Sequence, residues 1–442
     1  MRIAIIGTGH VGLITAVGLA SVGNDVVGMD LSPETVATLG RGQAPFHEPD
    51  LDRLLRDGLQ ARRLRFTTSV ADAVTGARVV FICVGRPPEG NGDKSLSAVE
   101  EAARAVARAA GPEVVLVVKS TVPPGTTGRI GKVVLLERPD LDLVAVSNPE
   151  FLREGHAVED TLRPDRLVVG SDDPRGFEVL RDLYAPVLAH SRLIETDPRT
   201  AELAKLASNA FLATKISFAN ALARVCELAD ADVGGVTEIM GADPRIGASF
   251  LGAGLGFGGY CLPKDIVTLE RVADRLGYDF GLLREASSVN DASLIAVFRK
   301  IEEAVWNLEG KIVTLLGLAF KPGTDDVRGA PAMALAELLH KEGAHVRGVD
   351  PMAGHAASAL APWLEVIEDS YDAALGAHCL VSCTEWPQFR DLDLVRIHSL
   401  MAEPSIVDGR NVLDPGEAQA AGFQYAAVGR PTQNPDLARV PI

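Results

Sequence analysis

The sequence opens with Arg2-Ile3-Ala4-Ile5-Ile6-Gly7-Thr8-Gly9-His10-Val11-Gly12, an apolar run followed by G-x-G-x-x-G. The run predicts a buried parallel strand, and the glycines begin an apolar helix that extends to about Val22. Gly23 suits a helix C-cap, and a second predicted strand, Asp25–Met29, is followed by Asp30. This order predicts a dinucleotide site, because the helix N-terminus faces a pyrophosphate and the carboxylate accepts hydrogen bonds from ribose hydroxyls. A carboxylate repels a 2′-phosphate, so the pattern favours NAD over NADP. The alternative is a glycine-rich turn without a ligand.

Strand and helix patterns alternate further along the chain. Buried strands are predicted at 78–84, 114–119, 143–147 and 166–170, with a helix at 96–110. This alternation predicts a doubly wound parallel sheet, in which ligands bind beyond the carboxyl ends of the strands. Polar turns follow three of these strands, at 85–88, 120–125 and 148–155. Any one could be ordinary turn chemistry, but three at one edge favour a site.

The middle of the chain is predicted to be helical. Asp197-Pro198 suits a capped helix start, and the helix runs to about residue 230 with Ala and Leu on all sides. Such a helix is buried between domains or in a subunit interface. Lys205 and Asn209 share one of its faces, and the lysine either extends to water or points into a cleft. Further helices are predicted at 233–241 and 264–308.

Between these helices lies a loop with the sequence Gly256-Phe257-Gly258-Gly259-Tyr260-Cys261-Leu262-Pro263-Lys264-Asp265. Glycines let backbone approach a ligand closely. Cys261 is a potential nucleophile, and the neighbouring Lys264 favours its thiolate. The alternative is an inert loop cysteine, which the dinucleotide signature makes the weaker interpretation.

A fresh buried strand at 311–320 begins a second α/β pattern, with a helix at 331–342 and a strand that ends at Asp350-Pro351. The pattern repeats residues 2–30 without the G-x-G-x-x-G loop, so this domain is predicted to bind something other than a dinucleotide. Its candidate anion contacts are Lys321, Arg328 and Arg410, for which plain surface charge is the alternative.

Bulk composition narrows the functional classes. The chain has 442 residues, 47% hydrophobic and 23% charged, as in ordinary globular proteins of two or three domains. Its net charge of −16 argues against a nucleic-acid partner. Five cysteines without zinc-type spacing indicate reduced thiols and no metal site. Because the first strand begins at residue 2 and no apolar run is long enough for a membrane span, we expect a cytoplasmic protein without a membrane partner.

These motifs together resemble the UDP-glucose/GDP-mannose dehydrogenase family. The resemblance extends from Gly7 to Arg410, and it is most specific in the cysteine loop and at 148–155, 202–220 and 319–328. It implies two Rossmann-like doubly wound domains joined by a long central helix and a helical dimerisation segment. The implied division is an NAD-binding domain at 1–197, the helical segment with the cysteine loop at 198–308, and a UDP-sugar-binding domain at 309–442.

The resemblance also implies a reaction, the four-electron oxidation of a UDP-glucose hydroxymethyl group to a carboxylate with two NAD+. Cys261 resembles the nucleophile, which forms a thiohemiacetal and then a thioester. Lys205 resembles a cation that stabilises oxyanions, and Glu150 a carboxylate that assists thioester hydrolysis. Asp265 with Asn209 resembles a pair that holds a catalytic water, with Thr121 nearby.

Further contacts are implied by position. Those with NAD involve Gly7, Gly9, His10, Val11, Gly12, Asp30, Gly85, Arg86, Ser120, Thr121, Glu154, Lys264 and Arg328. Those with the sugar nucleotide involve Phe151, Leu152, Arg153, Glu154, Lys205, Asn209, Arg245, Phe250, Gly252, Gly254, Phe257, Gly258, Phe320, Lys321 and Arg410. Arg245 matches an arginine supplied across a homodimer or higher oligomer.

The chain departs from the family pattern at a few positions. His10 replaces an aromatic residue and is expected to pack in its place, and Arg86 replaces a threonine and either contacts phosphate or points outward. The other replacements are Ala253, Leu255, Tyr260 and Gly329-Ala330. They leave open GDP-mannose or another UDP-hexose as substrate. More distant alternatives are a two-electron hydroxyacid dehydrogenase and a non-catalytic NAD-binding scaffold.

Overall fold

The computed structural model describes residues 1–85 and 94–431. The chain forms two compact units, of which the first is Met1–Ser208 and the second begins at Asn209. The boundary between the two units falls inside a single helix and coincides with neither 197 nor 308. The division into three functional segments at 197 and 308 therefore stays a prediction. Arg86 lies outside the described residues.

The first unit contains an eight-stranded sheet. Its strands are β1 (Arg2–Ile6), β2 (Asp25–Met29), β3 (Leu64–Thr67), β4 (Val79–Ile82), β5 (Glu113–Val118), β6 (Asp142–Ser147), β7 (Arg166–Ser171) and β8 (Arg192–Thr196). They lie in the order β3-β2-β1-β4-β5-β6-β7-β8. All pairings among β1 to β6 are parallel, which confirms the predicted doubly wound arrangement for these strands.

The last two strands differ from the prediction, because β7 pairs with β6 in the antiparallel direction. The connection between them contains one six-residue helix, Ala157–Leu162. The chain therefore re-enters the sheet at the edge where β6 ended instead of crossing back, as a parallel neighbour would require.

Helices cover both faces of this sheet. They are α1 (His10–Ser21), α2 (Pro33–Gly40), α3 (Leu51–Gln60), α4 (Val70–Val74), α5 (Lys94–Ala109), α6 (Thr126–Glu137), α7 (Ala157–Leu162) and α8 (Pro174–Leu188). Alternate residues of β1 enter different cores, Ile3 and Ile5 on one face and Ala4 and Ile6 on the other. Both faces are thus buried, which is why the strand is apolar throughout instead of alternating.

Helix α9 (Pro198–Ala229) has 32 residues, as the sequence predicted to within one residue. At 1.5 Å per residue it is roughly 48 Å long. The Asp197 carboxylate caps it by accepting a hydrogen bond from the Thr200 amide at 3.0 Å. Helix α10 (Val233–Gly241) follows.

The predicted helix at 264–308 is wrong in one respect, because two helices occupy this stretch. They are α11 (Cys261–Arg275) and α12 (Gly281–Val305), separated by a turn in which Gly277 has a φ of +78°. That left-handed conformation ends α11. Cys261 is accordingly the first residue of a helix and does not lie in a loop.

The second unit contains a six-stranded parallel sheet in the order β11-β10-β9-β12-β13-β14. Its strands are β9 (Ile312–Leu316), β10 (His345–Val349), β11 (Glu365–Val366), β12 (Cys379–Ser382), β13 (Ser405–Asp408) and β14 (Gln424–Ala427). Its further helices are α13 (Pro331–Lys341), α14 (Gly354–Leu360), α15 (Ser370–Ala374), α16 (Pro387–Arg390), α17 (Leu394–Leu400) and α18 (Pro415–Ala420).

Asp350 follows β10 as Asp30 follows β2, but its surroundings differ. One oxygen of the Asp350 carboxylate accepts hydrogen bonds from the Leu318 amide at 2.7 Å, the Ala319 amide at 2.9 Å and the Trp386 indole at 3.1 Å. The other Asp350 oxygen accepts from the Met352 and Ala353 amides, so the chain's own donors occupy this carboxylate. Asp350 therefore has less capacity left to accept from a ribose than Asp30 has.

Within the described residues, no helix is long and apolar enough to cross a membrane. The same part of the chain holds no cluster of three or more His, Cys, Asp or Glu side chains arranged to bind a metal ion.

Candidate functional site

The glycine loop after β1 leaves a space in front of the N-terminus of α1. Gly7 has a φ of +90°, and a Cβ on Gly12 would lie 1.8 Å from the Gly7 carbonyl oxygen, so both glycines are required by the fold. A Cβ on Gly9 would meet nothing within 4 Å. Packing does not require a glycine at this position, whereas close approach of a pyrophosphate to the helix N-terminus does.

Asp30 connects this loop to the end of β2. One carboxylate oxygen accepts from the Thr8 amide at 3.1 Å and the Thr8 hydroxyl at 3.0 Å, and the other accepts from the Ser32 amide at 3.1 Å. An ionised carboxylate has about four lone-pair positions, so capacity remains for a ribose diol. The loop, the open space at Gly9 and the half-buried Asp30 fit NAD.

Two alanine substitutions separate ligand contact from packing in this loop. Gly9→Ala is expected to leave the melting temperature unchanged and to weaken NAD binding at least about tenfold, since the new methyl group occupies only the ligand space. Gly12→Ala is expected to lower the melting temperature, because its methyl group collides with backbone. Differential scanning fluorimetry and calorimetric titration with NAD measure both, and equal melting losses in the two variants would contradict this assignment.

Other predicted NAD contacts have partners of their own. The His10 ring stacks on Phe46 with centroids 4.5 Å apart, so it packs as expected of an aromatic replacement. The Ser120 hydroxyl donates to the Val84 carbonyl at 2.9 Å and joins the ends of β4 and β5. Val11 and Thr121 are half-buried, and Gly85 is exposed.

The segment that carries Glu154 is held by a residue that the sequence did not indicate. The buried Glu48 carboxylate accepts from the Gly155 amide at 2.9 Å and the Ala157 amide at 2.6 Å at the start of α7. Its oxygen also lies 4.0 Å from His10 Nε2. A partner more than 100 residues away leaves no local sequence signal.

Glu150 and Lys205 form a buried ion pair, with Oε1 and Nζ 3.0 Å apart and side chains only 8% and 4% exposed. The other Glu150 oxygen accepts from the Leu152 amide at 2.7 Å. Burial by itself would raise the pKa of the Glu150 carboxyl, but the Lys205 ammonium and this amide outweigh it and lower the pKa below its ordinary value. Lys205 therefore does not extend to water, and Glu150 is a carboxylate at neutral pH.

Phe151 lies next to this pair. Its ring centroid is 5.4 Å from the Lys205 ammonium nitrogen and 4.0 Å from the Arg166 guanidinium carbon. Cations over an aromatic face are attracted by its quadrupole, which helps to hold Lys205 in place. Leu152 is half-buried beside it.

Glu202, one turn before Lys205 on α9, ties that helix to the turn that follows Thr121. Its carboxylate accepts from the Gly125 amide at 2.5 Å and from the Thr127 amide and hydroxyl at 2.7 Å each, at the N-terminus of α6. Burial raises the pKa of this carboxyl. Through Glu202, the helix that carries the predicted catalytic residue Lys205 is thus connected to the segment that follows Thr121, another predicted catalytic residue.

In the second unit, Asp265 is fully buried and joins two other predicted residues. Its carboxylate accepts from the Asn209 amide group at 2.7 Å, and its other oxygen lies 2.8 Å from Lys264 Nζ. Lys264 Nζ and the Arg328 guanidinium carbon lie 5.4 and 5.1 Å from the Tyr260 ring centroid. The structure thus brings Asn209 of α9 into contact with Asp265, which lies beside Lys264 in the first turn of α11 after Cys261.

Cys261 is exposed at the N-terminus of α11, while the other four cysteines are buried. The partial positive charge of a helix N-terminus favours an anion there. Burial raises the pKa of Cys83, Cys379 and Cys383 to about 12, so these thiols are protonated and unreactive at neutral pH. Accessibility therefore singles out Cys261 as the candidate nucleophile.

Four glycines of the loop before Cys261 are required by protein packing. A Cβ on Gly254 would lie 2.6 Å from the Gly409 carbonyl oxygen, and one on Gly258 would lie 2.3 Å from the Gly329 carbonyl oxygen. Gly256 and Gly259 have φ values of +106° and +78° and abut Asn290 and the Phe320 ring. Gly252 is exposed, and nothing lies within 4 Å of its Cβ position, so it alone of these five has the open space expected for ligand approach.

Two asparagines that the sequence did not single out fix the path of this loop. Asn290 on α12 accepts from the Phe257 amide at 2.7 Å and donates to the Phe257 carbonyl at 3.1 Å. Asn220 on α9 accepts from the Gly254 amide at 2.8 Å. A polar residue in the largely apolar α9 is a signal that could have found Asn220, whereas the many charged and polar residues of α12 give no such signal for Asn290.

The predicted substrate arginines are mostly paired with neighbouring acids. Arg153 pairs with Asp160, and Arg245, with a side chain 87% exposed, pairs with Asp243. The half-buried Arg410 donates to the Cys383 carbonyl at 3.0 Å and lies 3.7 Å from a Glu385 carboxylate oxygen. Arg328, a predicted NAD contact, likewise pairs with Asp326.

The remaining predicted substrate residues lie in the second unit. Lys321 Nζ is 5.5 Å from the Phe320 ring centroid, and both residues are half-buried. Phe257 is buried, whereas Phe250 is 38% exposed and has a φ of +65°. A bulky residue with this backbone conformation is strained, and such strain is concentrated at functional sites.

The dinucleotide cradle, the accessible thiol and the second α/β unit together define an NAD-dependent oxidoreductase. Models of the UDP-glucose/GDP-mannose dehydrogenase family match nearly the whole chain: the NAD binding domain at residues 1–188, the central domain at 199–292 and the UDP binding domain at 314–415. The chain belongs to the UDP-glucose/GDP-mannose dehydrogenase family.

Individual relatives agree with this assignment. A UDP-glucose 6-dehydrogenase of Pseudomonas aeruginosa is 43% identical over 98% of both chains. The structure of a UDP-glucose dehydrogenase from Pyrobaculum islandicum matches with a TM-score of 0.90 and 39% identity over 97% of both chains. A UDP-D-ManNAc dehydrogenase from Pyrococcus horikoshii has a TM-score of 0.87 and 30% identity over 97% of this chain and 99% of its own.

Proposed function

We propose that this protein oxidises UDP-glucose to UDP-glucuronate in two successive two-electron steps. The observation that carries the proposal is the accessible Cys261 thiol at the start of α11, followed directly by the buried contacts of Lys264, Asp265 and Asn209. The names of the full-length relatives support UDP-glucose as the substrate, and the UDP binding domain model supports a UDP-sugar.

In the first oxidation, the C6 hydroxyl loses its proton and C6 loses a hydride, which gives an aldehyde. NAD+ supplies the hydride acceptor when bound, held by Gly7, Gly9, Gly12 and Asp30. Asp265 and Asn209 hold a water that receives the hydroxyl proton. The Lys205 ammonium stabilises negative charge on the oxygen.

The second oxidation uses the thiol. The Cys261 thiolate forms a C–S bond to the aldehyde carbon while the aldehyde oxygen takes up a proton; the resulting thiohemiacetal then gives up that proton and a hydride, for which a second NAD+ would be the acceptor, and becomes a thioester. Water then breaks the C–S bond, which releases the carboxylate and returns the thiol. Glu150, ionised because of its contact with Lys205, takes a proton from that water.

Two measurements test this sequence of steps. The wild-type protein is expected to form two NADH per UDP-glucose consumed. In Glu150→Gln the amide cannot accept the proton, so we expect a covalent sugar nucleotide on Cys261 in acid-quenched samples and a rate lower by about 10²–10⁴. Intact-mass spectrometry and NADH absorbance provide the readouts. Formation of one NADH per sugar, or a Glu150→Gln variant without an adduct, would contradict the mechanism. Parallel assays with GDP-mannose and UDP-N-acetylhexosamines show which sugar nucleotide is the substrate.

We further propose that α9 forms a homodimer contact. Phe211, Phe218 and Val225 recur every seven residues and are 66%, 55% and 57% exposed, and Leu228 is 86% exposed. A stripe of this spacing on a helix suits a second helix packed alongside. Phe218→Glu is expected to produce monomers in light-scattering measurements, whereas Val395→Glu, at an exposed apolar residue of α17, is expected to leave the mass unchanged.

A further inference from the structure

Lys119, directly after β5, is a buried lysine that the proposed reaction does not use. Its side chain is 7% exposed, and its ammonium nitrogen lies 6.0 Å from the ring centroids of both Phe81 and Tyr184. Burial lowers the pKa of this amine. Removing an ammonium-bearing side chain from water is costly, and an apolar residue of similar length would fill the same space without that cost.

The polar contact of Lys119 is with Asn148, the residue that follows β6. Lys119 Nζ donates to Asn148 Oδ1 at 3.1 Å, and the Tyr184 hydroxyl donates to the same oxygen at 2.6 Å. These two donors fill both lone pairs of the amide oxygen. The Asn148 amide group in turn donates to the Val168 carbonyl of β7 at 2.8 Å, and its backbone N–H donates to Val118 at 3.0 Å.

Asn148 is fully buried and is held by β5, β7 and α8 together. Glu150 follows only two residues later, and the intervening Pro149 has a fixed φ. Because Asn148 is held firmly and Pro149 restricts the backbone, the position of Asn148 limits the positions that Glu150 can take. It therefore sets where the Glu150 carboxylate contacts Lys205 and the Leu152 amide.

We propose that Lys119 is a positioning residue for Glu150: by holding the Asn148 side chain, it fixes the turn that aims the Glu150 carboxylate. This proposal rests on the proposed function, in which Glu150 assists hydrolysis of the thioester on Cys261. Because the effect passes through a hydrogen bond, a side chain that donates one without charge can replace the lysine in part.

The test compares Lys119→Met, which keeps the length but cannot donate, with Lys119→Gln, which can. We expect Lys119→Met to lower kcat about tenfold, because small displacements of a catalytic group are costly, and to leave KM for UDP-glucose and NAD within about twofold. The adduct on Cys261 accumulates in acid-quenched samples. Lys119→Gln is expected to retain kcat within about threefold.

Asn24→Ala serves as a control, since Asn24 is a buried polar residue of the same unit whose amide donates to the Leu19 carbonyl at 3.0 Å. Asn24→Ala is expected to lower the stability of the protein without accumulation of the covalent adduct on Cys261. If Lys119→Met does not fold, Tyr184→Phe removes the other donor to Asn148 and is expected to accumulate the adduct to a smaller extent.

Several outcomes would overturn the proposal. The proposal is contradicted if Lys119→Met keeps the wild-type kcat, or if it loses stability without accumulating the adduct on Cys261. It is also contradicted if Lys119→Gln and Lys119→Met lose the same fraction of kcat. If Lys119→Met is insoluble, the absence of an adduct in Tyr184→Phe contradicts it. Failure of the proposed function itself is recognised separately, because it appears in the wild-type NADH stoichiometry and in Glu150→Gln.

Discussion

Cys261→Ser is expected to reduce UDP-glucuronate formation by about three orders of magnitude or more, while NAD binding stays within about twofold of wild type. A serine hydroxyl is not ionised near neutral pH, so it cannot add to the aldehyde as the thiolate does. Removal of a covalent nucleophile typically removes most of the catalytic rate enhancement. Coupled NADH and product assays measure the loss.

Alkylation of the native protein provides the matching control. Iodoacetamide is expected to modify one thiol per wild-type chain, at Cys261, and essentially none in Cys261→Ser, because the other four cysteines are buried. Uronate production by Cys261→Ser at more than a tenth of the wild-type rate would remove the thiol from the mechanism. Native labelling of Cys83, Cys379 or Cys383 would contradict the burial that separates them from Cys261.

Lys205→Met is expected to destabilise the protein by about 3–5 kcal/mol, because it leaves the Glu150 carboxylate buried without its cation. It is also expected to lower kcat by at least about a hundredfold, since no charge then stabilises the oxyanion. The double variant Lys205→Met/Glu150→Gln removes both charges and is expected to be more stable than Lys205→Met. Urea unfolding of the full chain measures the three free energies, and a double variant no more stable than the single one would exclude a buried unpaired charge as the cause.

The stabilities of the wild type and of Lys205→Met are also expected to depend differently on pH. In the wild type, Lys205 keeps the pKa of Glu150 below its ordinary value, so this carboxyl contributes stability above about pH 4.3 that is lost as the pH falls through the folded-state pKa. Without Lys205, burial is left as the dominant effect and raises that pKa. The folded variant then binds a proton that the unfolded chain has released, so its stability falls as the pH rises from about 5 to 7. Parallel stability profiles over this range would contradict the assigned ion pair.

Periodic local patterns predicted most of the secondary structure. The apolar β1, the G-x-G-x-x-G loop and Asp30 predicted a dinucleotide fold because each residue acts through its immediate neighbours in the chain. The start of α9 followed from Asp197-Pro198 for the same reason. The break at Gly277 was missed, because an amphipathic pattern continues on both sides of a short turn and the left-handed glycine leaves the apolar spacing unchanged.

Motif recognition found the reactive groups but not the residues that place them. Cys261, Lys205 and Glu150 could be named from the sequence, whereas Glu48, Glu202 and Asn290 could not. Each of these three works through hydrogen bonds to backbone at least 33 residues away along the chain. Such contacts leave no periodicity, because backbone amides are the same whatever their side chains.

By itself, then, the sequence determined the α/β architecture, the NAD cradle and the identity of the candidate nucleophile, all of which depend on residues close together along the chain. Only the tertiary structure decided that β7 is antiparallel to β6, that Lys205 forms a buried ion pair with Glu150, and that the glycines before Cys261 are required mainly by protein contacts. These features depend on which distant segments meet, and that is set by the burial of apolar surface over each whole unit, which no local pattern records.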